Sequence, residues 1–249
     1  MKKTIISAVV LIIFGVCAFL LHNDELLYSK ISCKFGSQNH CGIINRVGNT
    51  YLLDSKFDEA QKLLKFACES KFYKSCSNLG SLFMQTKDNK QAEFYLKMSC
   101  DNGFIGGCDN LGSFYISLNE YQKAKPFLEL SCEQNIFKSC HNLGFLHLQP
   151  DMKDVQKAIS FYKKSCENGF YGSCVALSAI YVKGDGIDRN LSLALEFAKT
   201  ACNGGIKQIC SKINGLEKAA KALELLDTLC KLGSTASCEK MKEFNKIQL

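Results

Sequence analysis

The stretch Cys100-Asp101-Asn102-Gly103-Phe104-Ile105-Gly106-Gly107-Cys108-Asp109-Asn110-Leu111-Gly112 recurs, with variations, along most of the chain. In this unit two cysteines stand eight positions apart, with a glycine between them, and Leu-Gly follows shortly after the second cysteine. Seven such pairs contain 14 of the 15 cysteines, and the remaining one, Cys17, lies in an apolar N-terminal segment. The pairs are Cys33–Cys41, Cys68–Cys76, Cys100–Cys108, Cys132–Cys140, Cys166–Cys174, Cys202–Cys210 and Cys230–Cys238.

The spacing between the pairs predicts a repeat protein. From one pair to the next, the first cysteine advances by 35, 32, 32, 34, 36 and 28 residues. A period of this size, kept through most of 249 residues, is typical of a solenoid of stacked supersecondary units. The two prolines argue against a proline-rich linker. We therefore predict one continuous repeat domain over residues 24–249, closed by a C-terminal capping helix.

Residues 1–21 resemble an export signal. A basic start is followed by an apolar run, Ile5–Leu21, which is typical of a secretory leader. We expect cleavage after Ala18. The alternative is an uncleaved membrane anchor, because about 17 apolar residues are near the short limit for a bilayer span; lipid modification of Cys17 fits less well. Each interpretation places the rest of the chain outside the cytoplasm, either periplasmic or secreted, or tethered to the inner membrane and facing the periplasm.

Export makes the paired cysteines candidates for disulfide bonds, because the periplasm and the exterior are oxidising. Residues eight apart on one straight helix are separated by about 12 Å of rise, whereas bridged Cα atoms lie about 4.4–6.8 Å apart. Each pair must therefore span a turn, with the first cysteine ending one helix and the second near the start of the next. A structural zinc site is the weaker alternative, since its ligands favour closer spacings. The expected left-handed turn residues are Gly36, Lys71, Gly103, Asn135, Gly169, Gly205 and Gly233.

Between the pairs, the apolar pattern predicts two amphipathic helices per repeat. The first helix carries Leu-Gly at Leu79, Leu111 and Leu143, and the second carries an alanine followed four residues later by leucine, at Ala92 and Ala124 among others. A glycine inside a helix costs about 1 kcal/mol relative to alanine. We therefore expect the glycines of this pattern to mark close approaches between helices.

Leu-Gly-x-x-Tyr with a following Ala-x3-Leu resembles the tetratricopeptide repeat. The segment Tyr181-Val182-Lys183-Gly184-Asp185-Gly186, with Ala194 and Ala198 beyond it, resembles the related Sel-like repeat. With its cysteine pairs, the chain is similar over residues 33–249 to the secreted cysteine-rich Sel-like proteins of Helicobacter and its relatives. This resemblance implies an all-α fold, a right-handed α/α superhelix of about six disulfide-bridged helix pairs. After Cys210 we expect the repeat to degenerate, with Asn214-Gly215 breaking the helix early.

Members of the resembled family have been described as binding or hydrolysing β-lactams, so a penicillin-binding protein or β-lactamase is the alternative function. Two Ser-x-x-Lys matches exist, Ser160 to Lys163 and Ser237 to Lys240, which is about the number that chance provides. No Ser-Asp-Asn or Lys-Thr-Gly accompanies them, so the serine β-lactamase motif set is incomplete. His141 and His147 are interpreted as surface or packing residues.

A binding surface is easier to derive from the sequence. Asn78, Asn110 and Asn142 precede Leu-Gly in three successive repeats, in the part of the first helix that lines the concave face of tetratricopeptide proteins. A row of carboxamides could hold the backbone of an extended peptide or a protein partner; the alternative is that these side chains satisfy neighbouring groups of the chain itself. On the same face we place Asn45, Asn49, Ser77, Ser81, Asp109, Ser113, His141 and Phe145.

The charge pattern disfavours a nucleic-acid partner. The net charge is +7, but lysines alternate with acidic residues, and Arg46 and Arg189 are the two arginines. Neither a cofactor nor a metal is indicated, and a membrane enters only through an uncleaved leader. Asn190 lies in an extended glycosylation sequon, Asp188-Arg189-Asn190-Leu191-Ser192, although capping of a helix is the preferred interpretation.

Overall fold

The computed structural model describes residues 25–246, with side chains to residue 244, so the predicted leader lies outside the described part of the chain. Within it the fold is all-α, as predicted, with no β-strand, one short 3-10 turn at Pro150–Met152, and most neighbouring helices packed against one another. None of these helices is long and apolar enough to cross a membrane. The thirteen helices of the described residues are α1 (Glu25–Lys34), α2 (Gln38–Leu53), α3 (Phe57–Glu69), α4 (Tyr73–Gln85), α5 (Asn89–Asp101), α6 (Ile105–Ser117), α7 (Tyr121–Glu133), α8 (Phe137–Leu146), α9 (Val155–Glu167), α10 (Tyr171–Lys183), α11 (Leu191–Asn203), α12 (Lys207–Lys231) and α13 (Thr235–Lys246).

By its internal contacts the chain divides after Asn119 into two compact units. The first unit holds α1 to α6, and the second holds α7 to α13. In each, the core consists of the apolar stripes that the repeat pattern predicts, because the positions of the pattern are fully shielded from solvent. Residues with no solvent exposure include Ala60, Leu64, Leu79, Ala92 and Leu96 in the first unit, and Ala124, Leu128, Leu143, Leu177 and Ala194 in the second.

Helices of successive repeats are joined by very short links, each of which turns through one left-handed residue. Between α3 and α4 this residue is Lys71, with φ +65°. Its N–H donates to the carbonyl of Cys68 at 2.9 Å, and the N–H of Phe72 donates to Ala67 at 3.0 Å. These two bonds satisfy carbonyls at the helix end in a Schellman arrangement. All seven turn residues predicted from the sequence have positive φ in the structure, which confirms that prediction.

A disulfide closes each link, so that the end of one helix is covalently joined to the start of the next. The bridged Cα atoms are 4.6–5.0 Å apart in the seven bonds. Such close helices require small neighbours: a side chain at Gly107 would overlap Ser99 Oγ. The five bonds from Cys33 to Cys174 are buried, whereas Cys202–Cys210 and Cys230–Cys238 are partly exposed.

The turns within repeats use the same left-handed geometry, although no glycine or asparagine marks it at two of them. Ser55 follows α2 with φ +58°, and Lys87 follows α4 with φ +62°. In the second unit the turns are longer. One contains the 3-10 turn, and the other uses Gly184 and Gly186, at φ +69° and +80°.

The expected helix break at Asn214-Gly215 is wrong, because α12 runs without interruption for 25 residues, from Lys207 to Lys231. A single helical glycine costs about 1 kcal/mol, and the segment that follows is rich in alanine, leucine, lysine and glutamate, which are strong helix formers. The cysteine spacing agrees with the loss of the turn between the two helices of this repeat: Cys230 follows Cys210 by 20 positions, whereas Cys100 follows Cys76 by 24. The two helices of the last repeat are therefore fused into one.

Candidate peptide-binding face

We call α2, α4, α6, α8, α10 and α12 the first helices, because each begins beside the second cysteine of a pair. In the first unit, side chains tie three first helices together. Asn78 Nδ2 on α4 donates to Asn45 Oδ1 on α2 at 2.8 Å, and Ser75 Oγ donates to the same oxygen at 2.9 Å. One repeat further, Asn110 Nδ2 on α6 donates to Ser77 Oγ on α4 at 2.9 Å.

These residues, Asn45, Ser75, Ser77, Asn78 and Asn110, are called the carboxamide ladder. Asn45 is 3% exposed, and an unsatisfied polar group at such a depth costs about 1–3 kcal/mol. The ladder therefore fixes the register of neighbouring repeats. The geometry is compatible with internal hydrogen bonding and with ligand binding by the same asparagines. The N–H groups of Asn78 and Asn110 bond to the preceding first helix, while the Oδ1 atom of each accepts no hydrogen bond from the described residues.

The other predicted face residues of the first unit lie on the same helices. Ser81 on α4 is half-buried, and its Oγ donates to the carbonyl of Ser77 at 3.0 Å. Asn49 on α2 and Ser113 on α6 are half-buried, while Asp109 on α6 is 7% exposed. The first helices thus present a row of small polar side chains rather than an apolar groove.

In the second unit His141 on α8 bonds to α10, 32 residues ahead, through its Nδ1, which lies 2.8 Å from Ser173 Oγ. Ser173 Oγ donates to Ser165 Oγ at 2.8 Å, and Ser165 Oγ donates to the carbonyl of Phe137 at 2.7 Å. Because Ser173 has one hydroxyl proton and gives it to Ser165, the His141 ring must donate from Nδ1. Burial lowers the pKa of His141, which favours this neutral form.

Aromatic rings enclose the same histidine. The centroids of Tyr162 and Phe170 are both 5.1 Å from the centroid of His141. Burial also raises the pKa of Tyr162 to about 12. Asn142 on α8 is half-buried, and Phe145 on the same helix is 37% exposed. His141 therefore packs and sets register, as the Asn45 side chain does in the first unit.

The candidate serine–lysine pairs show no catalytic geometry. Ser160 Oγ on α9 donates to the carbonyl of Lys157 at 2.8 Å, and Ser237 Oγ on α13 lies 2.9 Å from Ser234 Oγ. Among the described side chains, neither serine bonds to its lysine, at Lys163 or Lys240. No observation therefore favours a β-lactam hydrolase.

Two further polar residues have structural partners. His147 is buried and its ring stacks on that of Phe161 at 5.7 Å. Asn190 is the N-cap of α11, and its Oδ1 accepts from the N–H of Leu193 at 2.9 Å. In residues 25–246 no group of three or more His, Cys, Asp or Glu side chains is arranged to hold a metal ion.

Beside the carboxamide ladder, the first unit contains an open pocket of about 540 Å³ that sequence analysis missed. It lies between α2 and the start of α4, and its lining includes Asn45, Arg46, Ile43, Phe72 and Lys74. Arg46 follows directly after the buried Asn45 and is exposed. The sequence feature that could have indicated this pocket is Arg46, one of the two arginines, directly after Asn45.

Comparison with known proteins places these observations in a family. The Sel1 repeat model matches residues 75–104, 138–170 and 173–206, and the tetratricopeptide repeat model matches residues 106–135. No curated protein sequence matches the chain.

Solved structures share the fold at low sequence identity. A Sel1 repeat protein from Oxalobacter formigenes is 18% identical, with a TM-score of 0.60 over 78% of this chain and 87% of that one. The protective antigen c5321 of uropathogenic Escherichia coli strains, which displays an SLR fold, is 20% identical with a TM-score of 0.64; the match covers 88% of this chain but only 47% of that one. PilF of Pseudomonas aeruginosa is 15% identical, with a TM-score of 0.58 over 88% of this chain and 100% of that one.

The three Sel1 matches and the one tetratricopeptide match lie at separate positions along the chain. The chain therefore contains Sel1 repeats together with a tetratricopeptide repeat.

Proposed function

We propose that this protein is an exported, disulfide-braced scaffold that binds an extended peptide or a protein segment across its first helices. The observation that carries the proposal is the pair of Oδ1 atoms on Asn78 and Asn110. They are half-exposed side chains on successive first helices, and no described residue donates to these oxygens. Each can therefore accept a hydrogen bond from a ligand N–H group without disturbing the ladder.

The spacing of these acceptors suits an extended ligand. Packed neighbouring helices lie about 8–10 Å apart, and three extended residues span about 10 Å. One acceptor per first helix thus corresponds to about one peptide N–H in every three residues. Because the N–H groups of the carboxamides are held by the ladder, the oxygens are fixed in place before a ligand arrives, and less side-chain entropy is lost on binding.

The seven disulfides support an exported location, since bonds of this kind persist outside the cytoplasm. Within that location, we propose the periplasm or the exterior of the cell as the place where the partner is met. The bonds also keep the links between repeats from opening, so the face is presented as a stable surface.

The test is peptide selection followed by site-specific photo-crosslinking. The oxidised protein is used to select binders from a displayed peptide library, and a photoreactive phenylalanine analogue is then placed at position 49 or at position 62. Asn49 lies one helical turn beyond Asn45 on α2, whereas Lys62 is exposed on α3, a second helix. Neither position belongs to the carboxamide ladder.

We expect selected peptides to crosslink at position 49 and not at position 62, and unlabelled peptide should compete. Crosslinking at position 62 alone, or equal labelling at both positions, would show that ligands do not use the first helices. Failure to enrich any peptide sequence would count against the scaffold itself.

A further inference from the structure

Among the described residues, the last repeat exposes a helix surface that the preceding repeats bury. In the second helices α3, α5, α7, α9 and α11, the residues eight, four and one positions before the first cysteine of a pair are 0–3% exposed. The same positions before Cys230 hold Ala222, Leu226 and Leu229. Here Ala222 is exposed, Leu226 is half-buried and Leu229 is 39% exposed. The repeat pattern therefore calls for a cover that residues 25–246 do not supply.

The fused helix α12 accounts for the missing cover. In the other repeats a first helix of the same chain provides it, as where Leu96 on α5 lies against Gly80 of α4. Because α12 runs without interruption from Lys207 to Lys231, its C-terminal half cannot fold back onto its N-terminal half. The helix α13 that follows leaves three leucines exposed, by 59%, 39% and 79%: Leu225, Leu229 and Leu232.

The exposed side of α12 is a continuous seam whose residues alternate between steps of four and three. This is the spacing of the a and d positions through which helices pair in a coiled coil. All members of the seam are exposed: Ser211, Gly215, Lys218, Ala222, Leu225 and Leu229. The N-terminal half of the seam contains small residues, and the C-terminal half contains the leucines. Two such seams are complementary when they run in opposite directions.

We propose that a second copy of this chain covers the seam, with the two α12 helices antiparallel about a two-fold axis near Ala220. In this register Leu225 faces Gly215 of the second copy, and Leu229 faces Ser211 of the second copy. Each copy thus supplies the first-helix surface that the other lacks. The contact is the same on both copies, so it closes as a dimer and does not propagate.

The register of the pairing follows the register inside the repeats. There, the residue four positions after the second cysteine of one pair meets the residue four positions before the first cysteine of the next pair. Gly80 meets Leu96 in this way, and Gly144 meets Tyr162. By the same count Asn214 meets Leu226 of the second copy. The dimer contact therefore continues an interface that the chain already uses within its repeats.

The exposed area is large enough for a stable pair. The three exposed leucines of α12 present about 300 Å² in each copy. Pairing covers this surface on both copies together with an equal area of the helix on which it lies, which gives about 1,200 Å² in all, the lower end for a specific interface. A solenoid also needs a polar outer face at its terminal repeat to remain soluble, and dimerisation removes the apolar face from solvent.

Lysines near the axis limit the affinity. Lys218 lies within the seam and Lys221 beside it, and both are exposed. The stem of Lys218 can lie over Ala222 of the second copy while its ammonium group stays in water. Four ammonium groups then surround the axis and repel one another, so the dimer should tighten as the salt concentration rises.

The first experiment measures association of the oxidised protein, expressed with its leader, by sedimentation equilibrium over a wide range of concentration. We expect a reversible monomer–dimer equilibrium. Leu225→Lys should raise the dimer dissociation constant at least about 100-fold, because the change occurs twice in each dimer. It should leave the circular dichroism spectrum unchanged, since this side chain is exposed in the monomer. The matched control is Leu53→Lys on α2, where the leucine is 86% exposed outside the seam; its dissociation constant should not change.

Two further measurements test the register. Lys218→Leu completes the apolar seam and removes charge from the axis, so it should tighten the dimer at least about tenfold. A photoreactive phenylalanine analogue at position 214, an exposed site beside the seam, should give a product of twice the monomer mass. Its crosslinks should map to residues 222–231 of the second copy.

A monomer at every concentration, an unchanged dissociation constant in Leu225→Lys, or an equal loss in Leu53→Lys would overturn the proposal. Open polymers that grow with concentration would show a head-to-tail contact instead of a two-fold pair. Crosslinks from position 214 to the same region of the second copy would show parallel helices, and the antiparallel assignment would be wrong.

Discussion

Gly80 on α4 offers a sharp test of how the helices pack. A Cβ atom at this position would lie 2.6 Å from Leu96 Cγ and 3.0 Å from the backbone nitrogen of Leu96 on α5. Carbon atoms in contact are ordinarily about 3.5–4.0 Å apart. The Gly80→Ala variant therefore forces α4 and α5 apart, because a backbone atom cannot rotate out of the way as a side-chain end can.

Two opposing terms set the size of the effect. Replacing a helical glycine by alanine stabilises the helix by about 1 kcal/mol. Overpacking costs about 1–3 kcal/mol, and contact with backbone places this site near the upper end. We expect Gly80→Ala to lower the free energy of unfolding by a net value of about 1–2 kcal/mol. Gly215→Ala is the matched control, because nothing lies within 4 Å of its Cβ position in the middle of α12; this variant should gain about 1 kcal/mol.

The assay is chemical denaturation of the oxidised protein, followed by circular dichroism, with amide hydrogen exchange at α4 and α5 to report the local effect. Opposite signs for the two glycine variants are the expected result. If Gly80→Ala were as stable as the natural protein, or if both variants were stabilised equally, the close approach of α4 and α5 would be incorrect.

Four further outcomes are expected: two from the disulfides, one from His141 and one from Arg189. Replacing Cys132 and Cys140 together by alanine should lower the free energy of unfolding by about 2.5 kcal/mol, the chain-entropy value for so short a loop, as measured by denaturation. Partial reduction, alkylation and mass mapping should find the exposed bonds Cys202–Cys210 and Cys230–Cys238 opened before the buried ones; equal rates at all seven would contradict the burial pattern. Because burial depresses the pKa of His141 in the folded state, its contribution to stability is present above pH 6.5 and lost as pH falls through the lower folded-state pKa; His141→Gln should flatten the decline in melting temperature below pH 6.5. Arg189 Nη1 donates to the carbonyl of Phe244 at 2.8 Å and its guanidinium lies 4.7 Å from that ring, so Arg189→Ala should speed hydrogen exchange in α13, and an unchanged rate there would contradict that contact.

The links between repeats could be predicted because their sequence carries two independent signals. The cysteine pairs require a turn, and glycine supplies the left-handed residue in five of the seven links. The turns after α2 and α4 carry no such signal, since Ser55 and Lys87 adopt positive φ where glycine would be favoured. In these turns the short connection and the packing of the two helices override the preference of serine and lysine for negative φ. The fusion of the two helices of the last repeat into α12 was not predicted, because the glycine at position 215 indicates a break that the surrounding strong helix formers override.

The candidate site was predicted in part. The asparagine row was visible in the sequence, but its register was not: Asn45 accepts from Asn78, while Asn110 donates to Ser77 rather than to Asn78. Which end of each carboxamide faces the neighbouring helix depends on packing and leaves no trace in residue spacing. Arg46 and Lys74 come together only when α2 lies beside the start of α4, so a reading along the chain could not bring them into one pocket.

The short links have a consequence for damage by proteases. Lys71 is exposed in a link that the Cys68–Cys76 bond spans. A protease that cuts there leaves both pieces attached through sulfur, so the nicked protein gains one water but stays a single covalent molecule until a reductant is added. The turns at Lys56 and Lys87 lie outside any bridged segment, so one cut there severs the chain. A protein built in this way tolerates single cuts in the links between repeats, and its resistance to proteases then depends on the turns inside its repeats.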